Sequence, residues 1–125
     1  MSEDETMIRG LLESWAMAVR EGRLESILAN HTDDIVMFDV PEPLQSRGID
    51  AYRDTWELFF RYNEGGPGAF DIVSMEVTAG ETVAFAHGIL SIFGSELRLT
   101  VGLVKRDRRW LIAHEHHSYA AKLEG

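Results

Sequence analysis

Trp110-Leu111-Ile112-Ala113-His114-Glu115-His116-His117-Ser118, close to the C-terminus, has the pattern of a β-strand. Side chains alternate across a β-strand, so Trp110, Ile112, His114, His116 and Ser118 share one face, while Leu111, Ala113, Glu115 and His117 share the other. The first set begins apolar and ends polar, as expected of a strand packed into a core at its lower end and lining a pocket at its upper end. Three of the five histidines lie here. Imidazole changes charge near neutral pH, so His114 and His116 become the leading candidates for a site, with Glu115 and His117 expected to face outward.

Moving outward, the segments Phe70–Thr78, Thr82–Phe93 and Leu97–Lys105 have strand patterns. Turn signals at Ala79-Gly80, Gly94-Ser95 and Asp107-Arg108 join them as hairpins, which gives an antiparallel meander ending in the histidine strand. The N-terminal half reads as helices. Ser2 and Glu5 have capping-box spacing, and Ile8, Leu11, Leu12, Trp15, Ala18 and Val19 recur with helical period until Gly22. Leu24, Ile27 and Leu28 form the apolar side of a short second helix. Ile35–Val40 is a short strand stopped by Pro41 and Pro43; Ile35, Met37 and Asp39 share a face, so an acid ends an apolar row. Tyr52, Trp56, Phe59 and Phe60 make the aromatic stripe of a third helix, and Gly65, Gly66, Pro67 and Gly68 break the chain before the meander. The architecture expected is α+β: three N-terminal helices packed on the concave face of a strongly bent, mainly antiparallel sheet.

At 125 residues, 45% of them hydrophobic, the chain suits one compact domain over residues 1–125. The absence of cysteine removes disulfide and thiolate chemistry. Residues Met1–Thr6 are acidic where a signal peptide would be basic and then apolar, and no apolar run approaches the length of a membrane span. A soluble, cytoplasmic protein is the expectation. A net charge of -9 argues against nucleic acid and membrane surfaces as partners, since both reward basic patches. Lys105, Arg106, Arg108 and Arg109 surround Asp107 and read as a hairpin turn. In the strand before that turn, Leu97, Leu99, Val101 and Leu103 alternate with Arg98, Thr100, Gly102 and Val104. If the mixed set looks into the pocket, the aliphatic set lies outside the sheet. A homodimer formed face to face through the outer sheet face is then expected.

The chemistry-bearing candidates are Asp39, His116 and His114. A carboxylate and an imidazole in an apolar cavity can act as an acid/base couple. The bland alternative for Asp39 is a turn cap before Pro41 or an ion pair with Arg47. Trp15, Tyr52 and Trp56 have polar tips suited to a ligand, and His87, which shares a face with Val83, Phe85 and Ile89, is counted with them; Phe59 and Phe60 are expected in the core. His114 and His116 with Asp39 also have a spacing that zinc or iron could use, but with no fourth ligand in view no metal is expected, and no cofactor.

The order of helix, short helix, acid-ended strand, helix and meander, from Met7 to Ser118, resembles the nuclear transport factor two-like superfamily. That superfamily includes ketosteroid isomerases, scytalone dehydratase and SnoaL-like polyketide cyclases. The terminal run Trp110, Ile112, His114, His116, Ser118 is most similar to the SnoaL-like group. The resemblance implies helices closed over a cone-shaped sheet, with a pocket at its open end for a small hydrophobic molecule. It places Asp39, at the end of Asp33–Asp39, on the general-base aspartate of ketosteroid isomerase. The tyrosine donor of that family falls on Trp15, and its protonated acid on or near Gly102, so a typical ketosteroid isomerase is not implied. What is implied is a cofactor-free isomerase, cyclase or dehydratase acting on an apolar carbonyl compound, or a non-catalytic ligand-binding or dimerisation module on the same fold.

Overall fold

The structure is a computed structural model that describes residues 2–124. Helix α1 spans Glu3–Glu21. The Ser2 side chain accepts from the Glu5 amide at its start, and Gly22 closes it in the left-handed region at φ 67°. Its inward stripe is Ile8, Leu12, Trp15, Ala16, Ala18 and Val19, all buried. The five-residue α2, Leu24–Leu28, buries Ile27 and Leu28, and α3, Ile49–Tyr62, buries Tyr52 and Trp56. Phe59 and Phe60 pack against the core from partly exposed positions.

Among the described residues six strands follow or interleave: β1 His31–Phe38, β2 Ser46–Arg47, β3 Asp71–Ala79, β4 Val83–Ile92, β5 Ser95–Arg106 and β6 Arg109–Ser118. They form one sheet in the order β2-β1-β6-β5-β4-β3. Strands β3 to β6 are the expected meander, β1 runs parallel to β6, and β2 pairs antiparallel with β1. The fold is therefore α+β, with a sheet that stays open between its β2 and β3 edges. Among the described residues, no helix is long and apolar enough to cross a membrane.

The two-residue β2 has no strand pattern of its own; it exists because the chain returns from the proline loop alongside β1. The premise behind the expected dimer is reversed. Leu97, Leu99, Val101 and Leu103 are buried under the helices, and Arg98 and Thr100 are exposed on the outer face. Burying four aliphatic side chains under the helices is more favourable than leaving them on the open face of the sheet.

Candidate functional site

Two irregularities in the sheet decide which side chains meet. Strand β5 pairs Leu103 with Ile112 and Gly102 with His114, so Ala113 is an extra residue in β6. A bulge of this kind shifts the alternation by one, and everything beyond it changes face. Trp110 and Ile112 are buried as expected, but from there the inward residues are Glu115 and His117. His114 and His116 are corrected to the outer face: His116 is exposed, and His114, half-buried, donates from Nδ1 to the Val36 carbonyl oxygen at 2.7 Å. The ring of Phe38 lies edge-on to both, at 5.2 and 5.4 Å.

The second irregularity is in β1, where His31 is level with Ile112 and Val36 with His114, five residues passing over two. Following Asn30, which adopts φ 62°, it turns His31 inward, just beyond the end of α2. The imidazole meets Glu115 with Nε2 at 2.8 Å from Oε2, and its Nδ1 donates to the Ala29 carbonyl oxygen at 3.0 Å. The Tyr52 hydroxyl donates to the same Glu115 oxygen at 2.5 Å and accepts from Trp15 Nε1 at 3.2 Å. The other oxygen, Oε1, faces His117 Nε2 at 3.0 Å. Glu115 is thus a fully buried carboxylate with both oxygens engaged, Oε2 by two partners and Oε1 by one.

The electrostatics follow. Burial pushes the Glu115 carboxyl up, but the hydrogen bonds from His117 and His31, and their charges, hold it down at about 2. For His117, burial favours the neutral ring, and the hydrogen bond to Glu115 together with the charges of Glu115 and Asp39 reverses this, raising its pKa above the ordinary imidazole value. Burial, then the charge of Glu115, drives the Tyr52 phenol well above its usual range, so Tyr52 remains a donor at any working pH.

Between the helices and the upper sheet lies a cavity of about 430 Å³. Met37, Trp56, Phe59, Phe70, Leu97 and Tyr119 supply apolar walls, and Asp39 and His117 stand among them. Asp39 Oδ1 is 3.7 Å from His117 Nδ1 and accepts the Val40 amide at 2.8 Å. The turn-capping role weighed for Asp39 is present, but Arg47 bonds instead to Gln45 Oε1.

Of the expected ligand contacts, Trp56 lines the cavity, whereas Trp15 and Tyr52 sit behind its wall in the Glu115 network. His87 is corrected outright: it lies exposed on the outer face, stacked on Phe85 and 3.5 Å from Glu76. The alternation of β4 that puts Ala84 and Ala86 inside requires it. Sequence reasoning thus missed His31, Glu115 and His117. The usable signal was that the terminal run carries ionisable groups on both faces, so a one-residue slip exchanges one polar pair for another.

Known proteins give the same picture of the fold. The SnoaL-like domain family matches residues 8–122. An NTF2-like protein of unknown function from Pseudomonas putida KT2440 is 33% identical, with a TM-score of 0.88 over 97% of this chain and 89% of that one. More distant in sequence, at 18% identity, are an uncharacterised protein with a cystatin-like fold from Caulobacter vibrioides (TM-score 0.80; 96% and 92% of the two chains) and a ketosteroid isomerase-like protein from Erwinia carotovora atroseptica SCRI1043 (0.75; 98% and 100%). No functionally curated protein matches the sequence. With that family's model matching residues 8–122, nearly the whole length, the chain belongs to the SnoaL-like domain family.

Proposed function

We propose that the cavity binds a small apolar carbonyl compound and that Asp39 and His117 move a proton on it without a cofactor, in an isomerase, cyclase or dehydratase type of reaction. One observation carries this reading: a carboxylate and an imidazole 3.7 Å apart stand in a cavity whose other walls are largely aromatic and aliphatic. Asp39 takes the proton from carbon beside the carbonyl, and His117 Nδ1 stabilises the oxygen on which charge develops. The role first given to His116 passes to His117, because the bulge puts His116 outside. The indole that replaces the ketosteroid isomerase tyrosine is engaged by Tyr52, so no second donor of that type supports the oxygen.

The test is a thermal-shift screen with hydrophobic ketones, from monocyclic to polycyclic, followed by NMR of α-proton exchange in deuterated buffer. A binder should raise the melting temperature and exchange its α-protons, and exchange should fall about 100-fold or more in Asp39→Asn and in His117→Asn, with His116→Asn unchanged. Binding without exchange would make this a ligand-binding module instead. For assembly, we propose a homodimer through the outer sheet face, now on the strength of what that face presents rather than of the aliphatic stripe.

A further inference from the structure

We infer that Glu115 is a positioning residue that keeps a proton on both ring nitrogens of His117, so that the site meets its ligand with an N–H and not a lone pair. The inference rests on Asp39 and His117 being the working pair.

The Tyr52 hydroxyl accepts from Trp15 Nε1, so its own hydrogen goes to Glu115 Oε2. Oε2 also faces His31 Nε2, leaving Oε1 for His117 Nε2 alone. A carboxylate with no exposed surface survives as an anion only beside positive charge, and the residues in contact that can supply it are His31 and His117. The second nitrogen of His117 looks at another carboxylate, Asp39, beyond ordinary hydrogen-bond length. Placed between two carboxylates, a singly protonated ring would turn a lone pair toward one of them, and only the doubly protonated ring presents N–H to both sides. The groups facing His117 can be named by element: Glu115 from β6, Asp39 from the end of β1, and from α1 the ring of Trp15 at 6.3 Å. His31 and Tyr52 act on it through Glu115, and Glu42 stands farther along the cavity wall. The raised pKa of His117 and the lowered one of Glu115 agree with this arrangement of hydrogens.

The consequence is a site in which base and acid are presented together. The proton leaving carbon goes to Asp39, the C–H electron pair moves through to the carbonyl oxygen, and that oxygen takes the hydrogen of His117 Nδ1. The product is an enol, with Asp39 and His117 both neutral and no net change in charge. With His117 Nδ1 offering a hydrogen, the site suits a ligand that presents an acceptor oxygen to it, such as a ketone.

Long-range ¹H–¹⁵N correlation spectra of the full chain test this directly. At about pH 7.5, where an ordinary imidazole is neutral, the wild-type His117 should show two protonated ring nitrogens. In Glu115→Gln its titration midpoint should fall by about one pH unit or more, and Asp39→Asn, at the longer distance, should lower it less. One bare ring nitrogen in the wild type at that pH would overturn the inference, whether or not the variant folds; so would an unchanged midpoint in a folded Glu115→Gln. Doubly protonated His117 in a protein that exchanges no ketone protons would sink the proposed reaction and leave the positioning intact. Exchange with a neutral His117 would do the opposite.

Discussion

Glu115 binds fewer protons in the folded protein than in the unfolded chain, because its carboxyl is held near 2 against an ordinary 4.5. Its stabilising contribution is therefore complete above about 4.5 and is lost as the pH falls toward 2. His117 has the opposite sign. Its folded pKa is raised, so its contribution is complete below the ordinary 6.5 and is lost as the pH rises through the raised value. The two together predict a stability maximum in mildly acidic buffer, read as the urea midpoint against pH. In His117→Asn the decline above 6.5 should flatten, and in Glu115→Gln the acid limb should flatten while overall stability drops by about 3–5 kcal/mol, because two imidazoles lose a buried partner. A pH-independent midpoint would refute the assignment. At this scale Asp39 and Trp56 were readable, since the alternation of β1 and the helical stripe of α3 put them at the cavity. His117 was not. The Ala113 bulge has no glycine or proline in β6 to announce it; the one cue lies across the ladder, where Gly102 of β5 pairs with His114.

Elements were more legible than residues because caps and turns are local. Ser2 and Gly22 bound α1 as their chemistry predicts, and the hairpins of the meander fall where Gly80, Gly94 and Asp107 put them. β1 was harder to read: its first half, His31 to Asp34, carries two exposed acids and no apolar alternation, and it is held as a strand by β6. The same contrast between local and imposed structure separates two glycines. Gly10 is exposed within α1, and a methyl group there would meet nothing, so Gly10→Ala should stabilise the protein by about 0.5–1 kcal/mol through the backbone entropy of the unfolded chain. Gly88 lies where β4 passes the irregular register of β3, and a methyl group would overlap the Ser74 carbonyl oxygen. Gly88→Ala should cost about 3 kcal/mol as the two strands are forced apart. Opposite movements of the two melting temperatures would check both, and equal effects would contradict the strand packing.

For the molecule as a whole, the helices lie on one side of the sheet and leave the other open. Three cross-strand rows occupy the middle of that open face: Val83, Val104 and Leu111; Phe85, Gly102, His114 and Val36; His87, Thr100, His116 and Phe38. In a chain with 21 acidic residues, none of these positions is Asp or Glu; the nearest carboxylate, Glu76, continues the third row on β3 and borders the patch 3.5 Å from His87. Val83 and Phe85 are 61% and 49% exposed. Depletion of charge around exposed aromatic and aliphatic side chains is the composition of an interface core, and a sheet face pairs most simply with its own copy about a two-fold axis. Light scattering at micromolar concentration should therefore give about twice the 14.1 kDa chain mass. Phe85→Glu should give the monomer, because in a two-fold contact the new carboxylate is introduced twice into one apolar patch and each copy must be desolvated. The cavity lies on the opposite side of the sheet, so ketone binding should persist in that monomer; a wild type that is already monomeric would remove the outer face from the list of working surfaces.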